Sequence, residues 1–500
     1  MNVHREVERK LRVADDFQLE QALAGLGPLN AVREPDRDLD ADYFDTDELT
    51  LIRWKITLRR RTGGPDEGWH LKLPVNGRSG DREELHLPLS DHVPAELADI
   101  VSPLIGEKPL RMQAKVLTTR TPFAIFNAAG TQLAEVVDDH VRIAGPSTRD
   151  LAYRQIEVEA SDASDLYSLD AMELVTGNLL AAGAAMTTLG KAASALGNRA
   201  SAPADVPEPQ LPTGMVLAID VLRFILLGQV RALLMADMNV RRLEDDGVHQ
   251  MRVACRRLRS TLRVFAPLFE ADWQQHLRAE LGWLASEMGQ VRDAEVVHAR
   301  LTENAAVLGD QAQALQPTLD SELARRTTGG LAGALAALRS DRHQYLIEDL
   351  IDAANHPTAV TTAYLPYQQV MAPLVAQAWE SLRSACNALE LETPSTDWHQ
   401  ARIIAKRARY ALEAVLPVCD ANARKFAKQL AMVTELLGTH QDAYVAQESV
   451  REMAAAAEPS IAFLLGRLYE HESDLEIYDR FAFLELWPKV KKSSKNVAWV

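Results

Sequence analysis

The sequence predicts an α+β protein of two modules, an antiparallel β-barrel followed by an all-α bundle built by duplication. Three observations carry this. In the first two hundred residues, several short segments alternate charged and apolar side chains with period two, the mark of strands with unlike faces. Residues 198–213 read NRASAPADVPEPQLPT, proline-rich and without apolar periodicity, which marks a boundary. Beyond it the chain turns rich in Ala, Leu, Arg and Glu, and sequence landmarks recur about 150 residues apart. The expected divisions are residues 1–200 for the barrel domain, 201–213 for the linker and 214–490 for the helical domain.

Composition bounds the function. With 500 residues, 25% charged and 47% hydrophobic, the chain has length for about two to four domains and ample apolar content for full cores. A net charge of −16 argues against a general nucleic-acid coat, whose footprint is basic overall, but leaves room for local basic patches. The three cysteines, Cys255, Cys386 and Cys419, are far apart in helix-like sequence, which fits a reducing cytoplasm. The N-terminus opens with charge and lacks the apolar core of a signal peptide. Residues 215–236 form the most apolar long run, but Asp220, Arg223 and Arg231 interrupt it, so it reads as a core helix and not a membrane span.

Taken in order, the chain opens on a strand over residues 3–11. Glu6, Glu8 and Lys10 share one face of it, Val7 and Leu11 the other. Adjacent carboxylates repel, so that face requires water or a counter-charge. Hard oxygen ligands suit Mg²⁺ or Mn²⁺, which commonly join one or two carboxylates to substrate phosphates. Taken alone, Glu-x-Glu-x-Lys reads first as the solvated face of an amphipathic strand. Asp15 is then expected to cap a short helix over residues 17–26, closed by Gly25, Gly27 and Pro28. Residues 42–46, 57–61 and 69–73 read as strands, the last two joined at Gly63-Gly64-Pro65 as a hairpin, with Arg59 and Arg61 on one face. Further strands are expected at 83–87, 132–137 and 155–159; the last sets Glu157 and Glu159 against Ile156 and Val158.

A sheet covered on both sides tolerates such charge only where it lines a cavity in which opposite charges meet. A closed or nearly closed barrel supplies that interior. Its acids (Glu6, Glu8, Glu157, Glu159) can hold cations and its bases (Lys10, Arg59, Arg61, Lys72) phosphate oxygens, together a site for a metal-bound polyphosphate.

The ordered set Glu6-x-Glu8-x-Lys10, Tyr43-Phe44-Asp45-Thr46, Arg59-x-Arg61, Lys72 and Glu157-x-Glu159 resembles the CYTH domain of the triphosphate tunnel metalloenzymes, over roughly residues 2 to 200. The resemblance implies an antiparallel eight-stranded tunnel. In it Lys10, Arg59, Arg61, Lys72, Arg120 and Lys191 would grip triphosphate, and Glu6, Glu8, Glu157 and Glu159 would coordinate Mg²⁺ or Mn²⁺. Asp138 is the further metal ligand so implied, with its neighbour Asp139 the alternative. Glu6, Glu8 and Lys10 are the implied catalytic set.

In the second half, Val248-His249-Gln250-Met251-Arg252 is echoed by Trp398-His399-Gln400-Ala401-Arg402, and Gly289…Asp293 by Gly438…Asp442. His249, Arg252, Arg256, Arg259 and Arg263 fall at spacings 3, 4, 3, 4 on one helical face, and His399, Arg402, Lys406 and Arg409 reproduce the first three. Met251, Ala254, Leu258, Leu262 and Phe265 form a separate apolar stripe. A stripe of like charge opposes helix formation and is better explained by a bound polyanion than by solvation alone, the more so in two copies. Asp293 and Asp442 are expected to orient these helices from Gly-x-x-x-Asp turns.

Residues 215 to 490, through these motifs, resemble the CHAD domain, a helical module associated with inorganic polyphosphate. The resemblance implies polyphosphate binding by His249, Arg252, Arg256, Arg259, Arg263, His399, Arg402, Lys406 and Arg409. The joint expectation is a cytoplasmic, metal-dependent hydrolase of a linear triphosphate, inorganic triphosphate first, with a polyphosphate-binding helical domain. Thiamine triphosphate hydrolysis or cyclic AMP formation in the same tunnel, or a non-catalytic polyphosphate adaptor, are the alternatives. No membrane or nucleic-acid partner is expected.

Overall fold

A computed structural model describes residues 2–75, 81–144 and 151–497, in two compact units, Met1–Asp205 and Val206–Val500. The division falls within the proline-rich stretch.

The first unit contains strands β1 (Asn2–Val13), β2 (Asn30–Arg33), β3 (Arg37–Asp45), β4 (Thr57–Thr62), β5 (Gly68–Pro74), β6 (Asp81–Leu87), β7 (Arg111–Phe126), β8 (Gln132–Ala144), β9 (Leu151–Ala160) and β10 (Ala185–Met186). Helices α1 (Leu19–Leu23), α2 (Thr50–Arg53), α3 (Ala95–Ile105), α4 (Leu166–Ala181) and α5 (Lys191–Leu196) lie between or after them. Strand β1 pairs with both β6 and β9, which closes the antiparallel order β1-β6-β5-β4-β3-β7-β8-β9 into an eight-stranded barrel. Closure leaves no open edge among these eight strands.

Alternation decides which side chains face out. Val7, Leu11, Val13, Val136, Ile156 and Val158 lie on the outer face, where they pack with Leu19 and Leu23 of α1 and with Met172, Val175 and Leu179 of α4. Their odd-and-even partners, Glu6, Glu8, Lys10, Glu157 and Glu159, are thereby turned inward. The hairpin expected at Gly63 forms as read: φ is +84° there, and an added Cβ would lie 2.1 Å from the Asp38 carbonyl oxygen, so the turn requires glycine.

Three expectations are corrected. Helix α1 is shorter than residues 17–26, and Asp15 does not cap it; Gln18 stands at the N-cap without a side-chain bond. The longest strand, β7 with 16 residues, has no counterpart in the sequence reading. Its Pro122 hides it: β3 pairs as far as Arg120 and β2 takes over at Phe123, so the proline occupies the gap between two partners where no ladder N–H is needed. The third correction concerns the second unit.

That unit holds α6 (Ala218–Arg241), α7 (Gly247–Val264), α8 (Ala271–Glu287), α9 (Gly289–Asn304), α10 (Ala312–Thr327), α11 (Gly330–Leu338), α12 (Asp341–Asn355), α13 (Tyr367–Asn387), α14 (Ser395–Val415), α15 (Ala421–Ala456) and α16 (Pro459–Ser494). The Gly-x-x-x-Asp segments are not turns. Gly289 begins α9, and Gly438 lies inside the single 36-residue helix α15. The apolar stripe Met251, Ala254, Leu258, Leu262 and Phe265 of α7 is buried throughout.

The duplication is visible as symmetry. Leu217 bridges Pro366, its counterpart before α13; Ala218 N donates to Leu365 O at 2.9 Å and Tyr367 N to Val216 O at 3.3 Å. Each bond is the other with the two halves exchanged, as at an isologous two-fold contact. Both α7 and α14 are followed by a short 3₁₀ turn, Ala266–Leu268 and Leu416–Val418.

Candidate functional site

The barrel interior collects the charged strand faces. Around the wall, Lys10 lies opposite Glu157 and Glu8 opposite Glu159; Glu159 then neighbours Glu135, and Asp139 neighbours Arg120. On the far side Tyr43 neighbours Arg59, Arg59 neighbours His70, and Lys72 neighbours Glu84. Lys191 enters from the first turn of α5. All six bases of the sequence reading (Lys10, Arg59, Arg61, Lys72, Arg120, Lys191) and the four glutamates Glu6, Glu8, Glu157 and Glu159 are therefore on one inner surface.

They pair with one another. Lys72 Nζ lies 2.6 Å from Glu6 Oε2 and 3.8 Å from Glu84 Oε2; Arg59 reaches Glu84 at 3.4 Å. Arg120 grips Asp139 with Nε and Nη2, both at 2.8 Å, and reaches Glu157 at 3.2 Å. Lys191 holds the same two carboxylates at 2.8 and 2.6 Å. Lys10 bonds Glu8, and Arg61 pairs with Asp66 of the hairpin turn. His70 sets Nδ1 against Glu84 at 2.8 Å and Nε2 against the Asp66 carbonyl at 2.9 Å.

Asp138 is the correction here. It shares parity with Val136 and so faces outward, where Arg154 binds both its oxygens at 2.9 and 2.6 Å while also donating to the Asp15 and Phe17 carbonyls. The tunnel aspartate is Asp139. Had the strand been read through to Ala144, the parity of Glu135 would have selected Asp139. The sequence reading assigned no role to Glu135 or His70, which stand in no motif, nor to Tyr43, although Tyr43 opens one of the motifs that carry the resemblance.

Crowding charges away from water shifts their titration. Burial pushes the Glu6 carboxyl up to about 8 despite Lys72, with Glu84 and Glu159 adding repulsion; Glu159 rises to about 7 for like reasons. Burial also opposes charge on Glu157, but Lys191, Lys10 and Arg120 hold it well below the usual range. Arg61 falls to about 9 through burial and the nearby Arg59 and Arg120. Tyr43, although buried, is drawn below the usual phenol range by Arg59 and Lys191.

Among the described residues, no three His, Cys, Asp or Glu side chains converge as ligands of an ion. The donor chemistry nonetheless fits a hard divalent cation: Glu6, Glu8 and Glu159 are oxygen donors on one wall, and the raised titration of Glu6 and Glu159 shows that burial and neighbouring carboxylates disfavour their charged forms there, a cost that a bound cation would offset.

In the second unit the basic faces of α7 and α14 approach each other. Arg256 Nε donates to Tyr410 Oη at 3.1 Å. The two copies use matching contacts: Arg252 donates to Gly289 O at 2.7 Å and meets Asp293 at 3.1 Å, while Arg402 lies against Gly438 and meets Asp442 at 3.5 Å. Lys406 is pushed down to about 7 by burial and by Arg402, Arg256 and Arg252, against Asp442. Arg409 is taken up by Glu413 at 2.6 Å and by Thr434 at 2.9 Å, and His399 hydrogen-bonds Gln441 at 2.7 Å. His249 stands half-buried in the first turn of α7.

Residues 4–173 match the CYTH domain and residues 224–451 the CHAD domain. Uncharacterized proteins from two strains of Mycobacterium tuberculosis are 33% identical over 501 aligned positions, covering 94% of this chain and 93% of theirs. Among solved structures, PptA from Streptomyces chartreusis is 25% identical with a TM-score of 0.48, covering 54% of this chain and 99% of its own. The CHAD domain from the plant Ricinus communis is 22% identical with a TM-score of 0.45, covering 55% of this chain and 94% of its own. No helix among the described residues is long and apolar enough to cross a membrane. The chain belongs to the family of proteins in which a CYTH domain, the triphosphate-tunnel fold, is followed by a CHAD domain.

Proposed function

We propose that the tunnel hydrolyses a linear triphosphate, inorganic triphosphate foremost, with Mg²⁺ or Mn²⁺, and that the helical unit binds long-chain polyphosphate. One observation carries the reading: the tunnel's bases and acids line a common interior and neutralise each other. A metal-bound triphosphate matches both sets at once. Its oxygens replace the carboxylates on Lys10, Arg59, Arg61, Lys72, Arg120 and Lys191. Glu6, Glu8, Glu157 and Glu159 would hold the metal, with Asp139 in the place first given to Asp138. Held by these carboxylates, a divalent cation would supply positive charge to offset the negative charge that develops on the phosphate as the bond breaks. The arginines contribute fixed donors aimed at the phosphoryl oxygens, where exclusion of bulk water strengthens them. Glu84 orients Lys72 and Arg59, and His70 steadies Glu84 from behind.

The test is phosphate release from inorganic triphosphate, thiamine triphosphate, ATP and long polyphosphate, each with Mg²⁺, Mn²⁺ or chelator. Metal-dependent release that is fastest with inorganic triphosphate is expected. Cyclic AMP from ATP, or no turnover of any substrate, would replace the reading with a cyclase or a binding adaptor.

A further inference from the structure

The two helical repeats are near copies, but their basic faces are not equivalent at the outer end. Following the face of α7 that carries Arg252 and Arg256, the next arginines on it are Arg259 and Arg263, both exposed. Arg278 of α8 and Arg407 of α14 face the same place. Arg259 lies over Gly282, one turn beyond Arg278 on α8, with its guanidinium carbon 3.5 Å from where a Cβ would stand. Arg278 and Arg407 each feel only like charge from this group: Arg263 and Arg259 act on the first, and Arg263 and Arg278 on the second, so both are lowered, burial being the larger cause. Among the described residues none of the four makes an ion pair; Arg278 has only the Gln274 amide oxygen at 3.4 Å.

The other repeat supplies an internal control. Exchanging the halves carries Arg259 to Arg409, Arg278 to Lys428 and Arg407 to Arg257, but Arg263 to Glu413. Glu413 neutralises that arm, pairing with Arg409 at 2.6 Å and Arg257 at 3.6 Å. One arm is thus closed by an internal carboxylate and the other is left open.

We propose that Arg259, Arg263, Arg278 and Arg407 form a second anion subsite, so that a polyphosphate chain bound at the central Arg252, Arg256, Arg402 and Lys406 group runs out in one direction only, over α8. This rests on the polyphosphate reading of the helical unit and adds to it a chain-length requirement and a polarity. A helix rises about 1.5 Å per residue, so Arg252 and Arg263 are roughly 16 Å apart along α7. A ligand spanning the whole row from Arg252 to Arg263 must be an extended polyanion; a short phosphate reaches only part of it. Glu413 is the device that suppresses the opposite direction, by occupying the bases a second run of phosphates would use.

The experiment measures binding of long-chain polyphosphate to the full-length protein against salt, for the wild type and for R263E, R278A/R407A, E413Q and R252E/R402E. Removing charge-assisted contacts from the open arm should weaken long-chain binding by about tenfold or more and flatten the dependence of log K on log salt, because fewer counterions are released. E413Q should tighten binding and steepen that dependence. Arg263 is exposed, so R263E tests charge without disturbing a core. If R263E and R278A/R407A bind like wild type while R252E/R402E does not bind, the second subsite is wrong and the central site stands. If R252E/R402E also binds like wild type, the polyphosphate reading itself falls. If E413Q leaves affinity unchanged while the open-arm variants weaken it, the one-way polarity is overturned.

Discussion

Asp138 and Asp139 are adjacent in sequence and opposite in role, because a strand turns successive side chains to opposite faces. Asp138 is a structural counter-ion: it and Arg154 are both about nine-tenths buried, and the pair ties β8 to the loop before α1. Asp138→Ala leaves a buried guanidinium without its counter-charge, a loss of about 3 kcal/mol, the low end for a broken buried pair since Arg154 keeps two carbonyl partners. Chemical denaturation should report that loss, with kcat/KM of the folded fraction unchanged. Asp139→Asn should lower turnover, because Arg120 and Lys191 lose the carboxylate that aligns them. Glu6→Gln should abolish turnover at limiting metal and leave the fold intact; wild-type turnover in that variant would remove Glu6 from the metal set.

At the scale of elements, α15 shows what a local motif leaves open. Gly438 is in the middle of a helix, where glycine costs about 0.5–1 kcal/mol relative to alanine. An added Cβ would lie 4.0 Å from Arg402, an ordinary contact. Gly438→Ala should therefore stabilise the protein by up to about 1 kcal/mol, read as a higher denaturation midpoint. The pairing of α7 with α14 sets a proton-linked behaviour. Lys406 faces Arg402 on its own helix, Arg252 and Arg256 on α7 and Asp442 on α15, and its ammonium titrates at about 7 instead of the ordinary 10.5. The sign follows from linkage: between these values the unfolded chain binds the proton more tightly, so this lysine's contribution to stability is present above 10.5 and lost as pH falls through about 7. A bound polyanion favours the charged form. Polyphosphate binding near pH 8 should then take up about one proton, measurable as a dependence of calorimetric heat on buffer ionisation. Lys406→Met should abolish the uptake.

For the molecule as a whole, the separate cores of residues 1–205 and 206–500 should show as two calorimetric unfolding transitions. Triphosphate with Mg²⁺ should raise one of them and long-chain polyphosphate the other, since a ligand stabilises only the unit whose native state it binds. A single transition raised equally by both ligands would contradict separate sites.

The sequence by itself determined what rests on periodicity and repetition. Period-two alternation at Glu6-Val7-Glu8 and Ile156-Glu157-Val158-Glu159 placed acids on one strand face, and the recurrence of His249…Arg256 as His399…Lys406 announced the duplicated helices. The ordered motifs added the family resemblance and, through it, Arg120 and Lys191. Tertiary structure alone decided what depends on partners distant in the chain. β7 was invisible because its proline is tolerated only where β3 hands over to β2, a fact about neighbours and not about β7. Asp139 displaced Asp138 because the extent of β8, fixed by pairing with β7 and β9, set the parity. The grouping of Arg278 and Arg407 with Arg259 and Arg263 depends on α8 and α14 meeting α7, which no spacing within one helix specifies. Periodicity reports the face a residue takes within its own element; charge compensation depends on which other elements that face meets, and folding alone supplies that.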